Sequence, residues 1–194
     1  MGAYHTVGLK NDGTVIVWGS NNYNQKQLPP GLKNVVSVVA GYTHSLALKN
    51  DGTVIGWGNN TNGQVTIPFG LNNVIKIATG DTHSLALINN GTVVAWGGNS
   101  YGQATIPIGL SNVIEIASGS YHSLALKNDG TVVGWGYNSN GQSIIPAGLT
   151  DVTKIAAGYY HSLALKNDGT LVAWGGNSYG QISIPTGLTN VISI

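Results

Sequence analysis

The chain has no cysteine and no arginine, one glutamate, one phenylalanine, one methionine and few charges of any kind. Without cysteine there is no disulfide, no zinc–thiolate centre and no thiol nucleophile, and nothing marks the redox compartment. Charged residues make up 8% of 194, eight lysines against seven acids, for a net charge of +1. That balance supplies no basic face for phosphates, so no nucleic-acid partner is expected. No stretch approaches the ~18 apolar residues of a membrane span, and no membrane partner is expected either. The opening Met1-Gly2-Ala3-Tyr4-His5 lacks the charged-then-apolar form of a signal peptide. A soluble chain without a leader is therefore expected, with its compartment left open. Disorder is excluded, because 42% of the residues are hydrophobic and disordered segments are poor in β-branched and aromatic side chains. The length suits one domain, residues 1–194, able to bury roughly 70% of its surface on folding.

What the chain has in abundance is itself. Trp18, Trp57, Trp96, Trp135 and Trp174 recur every 39 residues, and so do the only histidines, His5, His44, His83, His122 and His161. Gln25, Gln64, Gln103, Gln142 and Gln181 keep the same interval, as do Pro29, Pro68, Pro107, Pro146 and Pro185. The repeats are 2–40, 41–79, 80–118, 119–157 and a shortened 158–194, with no insertion between them. A period in the range of ~20–50 residues signals a solenoid, a propeller or an array.

Four short strands fit each unit. In the second repeat Val74–Ile77 is strand A, Leu46–Leu48 strand B, Val54–Trp57 strand C and Gln64–Ile67 strand D. Asn50-Asp51-Gly52 supplies the turn of a B–C hairpin, and Pro68 ends strand D. Helical spacing is never sustained for two turns without meeting Gly or Pro. Four β-strands in ~40 residues make one propeller blade. The reading is therefore an all-β, five-bladed β-propeller of four-stranded, 39-residue repeats. Five such repeats exceed the chain by one residue, so the C-terminal strand Val191–Ile194 is expected to pair with the strand starting near His5. That pairing would close the ring in a monomer and remove its sheet edges.

The run His-Ser-Leu-Ala-Leu-Lys-Asn-Asp-Gly-Thr, followed by Trp-Gly, Asn and Gly-Gln, resembles the regulator of chromosome condensation repeat, and the resemblance covers the whole chain. Its short, insertion-free form resembles bacterial members, among them a β-lactamase inhibitor. The resemblance implies a β-propeller that binds other proteins and carries no chemistry of its own. Two departures stand out: members usually have seven blades, and this chain lacks the insertions and basic residues of the eukaryotic member. Nucleotide exchange does not follow from the likeness.

The residues themselves offer little catalysis. Glu115, Asp81 and Asp151 sit at unrelated places in their repeats, so no carboxylate pair is built in, and no enzyme is expected. Serines follow four of the histidines directly, but adjacent strand residues point to opposite faces. The histidines lack nearby ligand partners in sequence, which favours a role in closing each first loop by hydrogen bonds to neighbouring backbone over a metal ring. Each tryptophan reads as a core or inter-blade wedge, with ligand stacking as the alternative. The Asn-Asp-Gly turns have too few oxygens for a calcium loop, and no cofactor is expected.

Strands alternating in direction place the A–B and C–D loops on one rim and the B–C turns and D–A linkers on the other. All nine tyrosines fall in the first set: Tyr4, Tyr42, Tyr121, Tyr159 and Tyr160 in A–B loops, Tyr23, Tyr101, Tyr137 and Tyr179 in C–D loops. Tyrosine set among Ser, Asn and Gly is the composition of a paratope, although tyrosine can also merely decorate a polar loop. These nine are the candidate partner-binding residues, and a protein is the favoured partner. A carbohydrate bound once per blade is the main alternative, since Tyr and Trp stack on sugars. A recently amplified or engineered scaffold without a selected ligand is the third reading. The divergent first repeat, with Gln25-Lys26-Gln27-Leu28-Pro29-Pro30, speaks against a purely consensus design.

Overall fold

The computed structural model describes residues 2–194. Among them the regular elements are all strands, and no helix is long and apolar enough to cross a membrane. The first repeat supplies β1 (His5–Leu9) and β2 (Val15–Gly19). Each later blade has three strands, the first drawn from the end of the preceding repeat: β3 (Val35–Ala40), β4 (His44–Lys49) and β5 (Val54–Gly58); β6 (Val74–Thr79), β7 (His83–Ile88) and β8 (Val93–Gly97). The last two sets are β9 (Val113–Ser118), β10 (His122–Lys127) and β11 (Val132–Gly136), then β12 (Val152–Ala157), β13 (His161–Lys166) and β14 (Leu171–Gly175). Each set is an antiparallel sheet with the His-Ser-Leu-Ala-Leu strand in the middle, and the five sheets are the five blades of an all-β propeller.

The middle strands are apolar on both faces because both faces meet another blade. In β4, β7 and β10 five consecutive residues are buried, the pattern of a strand covered on each side. Leu85, Leu87 and Val93 of one blade pack with Ile116, Ala125 and Trp135 of the next, and the same layer recurs between the other neighbours. The outer rim of each hairpin follows from its turn: Gly52 sits at φ +78°, and the Asp51 carboxylate accepts the Thr53 N–H at 3.0 Å. One residue is bulged out of the first ladder in each of the four later blades, as at Ile75, where the register shifts between Val74 and Lys76. The bulge turns Ile75 to solvent and bends the strand.

A second set of bonds ties blade to blade. The Trp96 indole N–H donates to the Gln64 carbonyl of the preceding repeat at 2.9 Å, and the Ser84 hydroxyl donates to the same oxygen at 2.8 Å. His44 Nε2 lies 3.1 Å from that Ser84 hydroxyl. Since the hydroxyl proton is committed to the carbonyl, the imidazole must carry its proton on Nε2 and donate. His83–Ser123 and His122–Ser162 repeat the link. Four of the five histidines thus bond the next repeat's serine, not neighbouring backbone as expected from sequence. The sequence pairing of His with Ser becomes a real contact, but between blades and wholly buried.

Two expectations about the blades need correction. Gln64–Ile67 and its equivalents join no ladder, so each later blade has three laddered strands and a fourth, unladdered segment. That segment's backbone is taken up elsewhere: Val65 N–H donates to the Asn60 side chain at 3.1 Å, Thr66 N–H to Gly63 O at 3.0 Å, and Gln64 O serves the next blade. Side-chain bonds of this kind compete with a ladder. The seam is the other correction. Val191–Ile194 forms no strand, and β1 pairs with β2 alone. Val191 N–H bonds Gly169 O at 3.1 Å, as Val74 N–H bonds Gly52 O. The tail therefore starts along the path of a first strand but meets no partner to ladder with. Trp18 accordingly lies 53% exposed, whereas the other four indoles are buried.

Candidate functional site

Hydrogen bonds join the two loop sets that carry the tyrosines. Gly98 N–H donates to Thr82 O at 2.8 Å, Tyr137 N–H to Tyr121 O at 2.8 Å and Gly176 N–H to Tyr160 O at 2.7 Å. The opposite rim is bonded within itself in the same way, with Asn89 N–H on Asn73 O at 3.0 Å. All nine tyrosines therefore share one rim, held on a scaffold whose loops are fixed at their bases.

None of the nine is buried. Tyr101, Tyr121, Tyr137, Tyr160 and Tyr159 form one contiguous aromatic strip across the last three blades. Centroid separations are 5.3 Å for Tyr101–Tyr121, 4.8 Å for Tyr101–Tyr137, 5.9 Å for Tyr137–Tyr160 and 4.5 Å for Tyr159–Tyr160. Most are edge-on or tilted, the arrangements the ring quadrupole favours. Tyr4 and Tyr42 make a second group, with centroids 4.9 Å apart and hydroxyls 2.8 Å apart. Tyr23 lines a cleft with these two. Tyr179 stands outside the strip and is 94% exposed.

At the centre of the rim, the A–B loops of all five repeats line an open cavity of about 200 Å³. Glycine opens it: a Cβ at Gly80 would run into the His83 ring and the Gly119 carbonyl. Asp81 lines this cavity and is 8% exposed. Burial pushes its carboxyl up, partly offset by the nearby hydroxyls of Ser120, Tyr159 and Tyr121. The Tyr42 phenol is pushed up to about 12, first by its hydrogen bond with Tyr4 and then by burial and by Asp81. Against the lowering influence of the nearby Ser120 hydroxyl, burial and Asp81 push Tyr159 up to about 12. The sequence reading treated Asp81 only as an unpaired acid. The signal it passed over is that Asp81 is the sole charged residue of the A–B loops, at a position held by Ala3, Tyr42, Ser120 and Tyr159 in the other repeats.

Among the described residues no three His, Asp or Glu side chains converge as metal ligands. Burial, helped by the charge of neighbouring histidines, holds the His44, His83 and His122 imidazoles down at about 4, 3 and 4.

Comparison with curated proteins gives no match. Solved structures do match. Prp20p of Saccharomyces cerevisiae, described with its binding properties to Gsp1p and histones, is 24% identical with a TM-score of 0.81 over 97% of this chain and 60% of its own. Human WBSCR16 is 26% identical with a TM-score of 0.78 over 98% of this chain and 64% of its own. The ectodomain of the Physcomitrella patens receptor kinase CR4 is 26% identical with a TM-score of 0.76, covering 90% and 50%. The chain thus spans 50–64% of the length of these relatives. The model of the regulator of chromosome condensation (RCC1) repeat matches residues 1–25, 35–64, 74–103, 113–142 and 152–181. Repeat, blade and inter-blade bonding lead to one conclusion: the chain belongs to the RCC1 repeat family.

Proposed function

We propose that this propeller is a non-catalytic module that binds another protein through its tyrosine-bearing rim. The observation that carries the reading is the contiguous strip of five tyrosine rings on one rim. Rigid, amphipathic rings on fixed loops offer contact area at low entropic cost, and tyrosine is enriched at binding hot spots. The family likeness supports the same class, since Prp20p is described as binding Gsp1p and histones and as bound to Kap60. An inhibitor-like role, blocking a partner's surface by covering it, fits a face without catalytic groups.

Affinity capture with two variants tests this. The bait carrying Tyr101→Ala, Tyr137→Ala and Tyr160→Ala should lose a protein retained by the unaltered chain, with affinity down on the order of a hundredfold, because truncated hot spots cost ~2 kcal/mol or more. Asn128→Ala on the opposite rim should retain it. A glycan array run alongside decides the sugar alternative. Binding to glycans and to no protein, or binding lost from the Asn128 side alone, overturns the proposal.

A further inference from the structure

The central cavity holds a group the fold does not use. Asp81 is nine-tenths buried and forms no ion pair among the described residues, its carboxylate having only the hydroxyls of Ser120, Tyr159 and Tyr121 beside it. Ala, Tyr, Ser and Tyr occupy its place in the other four repeats, so the blade itself has no need of a carboxylate there. Two further acceptors lie beside it: the Ser118 and Ser120 hydroxyls are buried without a partner, and both residues line the same cavity. An unpaired buried charge and unmade hydrogen bonds each cost stability. Groups kept at such a cost tend to mark functional sites.

We propose that this cavity receives a primary ammonium group, the side chain of a lysine on the protein partner. The inference rests on the reading of the rim as a protein-binding face. An ammonium offers three N–H donors, and Asp81, Ser118 and Ser120 offer three oxygens. Tyr42 and Tyr159, which share the lining, present rings that attract a cation. Ala3, Ala40 and Ala157 also line the cavity and suit the apolar stem of lysine, which packs along such surface. At about 200 Å³ the space is below the ~300–1,000 Å³ of small-ligand pockets, and matches one inserted side chain. The lysines of this chain lie in the hairpin turns, in linkers, on outward strand positions and, for Lys26, just after Gln25, and none of them lines the cavity.

Peptide titration followed by amide chemical shifts of Asp81, Thr82 and Gly119 tests the inference. The probes are acetylated, amidated Gly-Gly-Lys-Gly-Gly, its norleucine and arginine analogues, and butylammonium. The lysine peptide should shift these signals saturably, the norleucine peptide should not, and arginine should bind more weakly. Asp81→Asn should weaken the lysine peptide at least tenfold while leaving Tm unchanged or higher, because an unpaired buried charge has been removed. Ser120→Ala should weaken it severalfold. Equal binding of norleucine and lysine, or Asp81→Asn binding as the unaltered chain does, overturns the proposal. So does a fall of several degrees in Tm for Asp81→Asn, which would make Asp81 structural. Butylammonium binding as tightly as the peptide would assign the site to small amines and overturn the partner's lysine as its source. Tyr101, Tyr137 and Tyr160 lie outside the cavity lining, so the two readings fail separately. A partner lost by that triple variant but kept by Asp81→Asn sinks the ammonium site alone. A lysine peptide bound through Asp81, with a partner indifferent to the triple variant, sinks the tyrosine face alone.

Discussion

The buried histidines set how this protein responds to acid. In the unfolded chain an imidazole takes its proton near pH 6.5, whereas burial holds His44, His83 and His122 neutral down to about 4, 3 and 4. The unfolded state therefore binds more protons across that window. Stability is complete above about pH 6.5 and falls as the pH drops toward 4, on the order of 3 kcal/mol for each histidine at the limit. Asp81 works the other way, because a raised carboxyl contributes stability at low pH that is lost as the pH rises through its folded value. It cannot supply the acid loss. Urea midpoints measured from pH 7.5 to 4.5 should fall steadily, and a flat profile would show that the imidazoles are protonated in the folded state. Gly80→Ala should be among the most destabilising single changes, since the new Cβ meets a ring and a backbone carbonyl that are both fixed. Its thermal midpoint, set beside that of Gly63→Ala, where no atom lies within 4 Å, separates crowding from the strain that positive φ imposes on alanine.

Between strands, an inter-blade relay of hydrogen bonds joins neighbouring ladders. Gln64 O accepts from both Trp96 and Ser84, so losing one donor leaves that carbonyl satisfied. Ser84 has no such redundancy, since it is also the acceptor for His44 Nε2–H. Ser84→Ala strands that N–H in the interior and should cost about 1–3 kcal/mol, read from chemical denaturation. Ser178→Ala on the exposed C–D loop should change stability by no more than about 0.5 kcal/mol. Equal costs for the two would mean that the relay contributes nothing. The fourth segment of each blade belongs to this same account: it gives up its place in a sheet to carry the carbonyl that the next blade's Trp and Ser require.

For the molecule entire, four inter-blade interfaces are built among the described residues, and no ladder joins the first blade to the last. Blades 1 to 5 are joined by the His–Ser and Trp–Gln contacts only in sequence order, and Trp18 is left 53% exposed. Acrylamide quenching of fluorescence should accordingly resolve one accessible indole among five, and Trp18→Phe should remove that component. Five uniformly shielded indoles would mean that the ends do meet in solution.

The blade was legible in the amino-acid order because its signals are local and repeated five times. Asn-Asp-Gly sets a turn through its own backbone angles, and His-Ser-Leu-Ala-Leu announces a strand covered on both faces. Alternating strand direction is enough to put every tyrosine on one rim. The histidine partner was not legible, because it lies one repeat and one residue away and depends on the offset between neighbouring sheets. Nor was the unladdered fourth segment, whose Gln-Val-Thr-Ile has a strand's composition but whose hydrogen bonds go to Asn60 and to the next blade. An in-phase chain length suggested a closed ring, yet phase along the sequence says nothing of curvature, which the packing of side chains between blades sets. Asp81 shows the same division. Its charge could be read at once, but its burial beside two unpartnered hydroxyls arises only where loops from five repeats, far apart along the chain, converge on one axis.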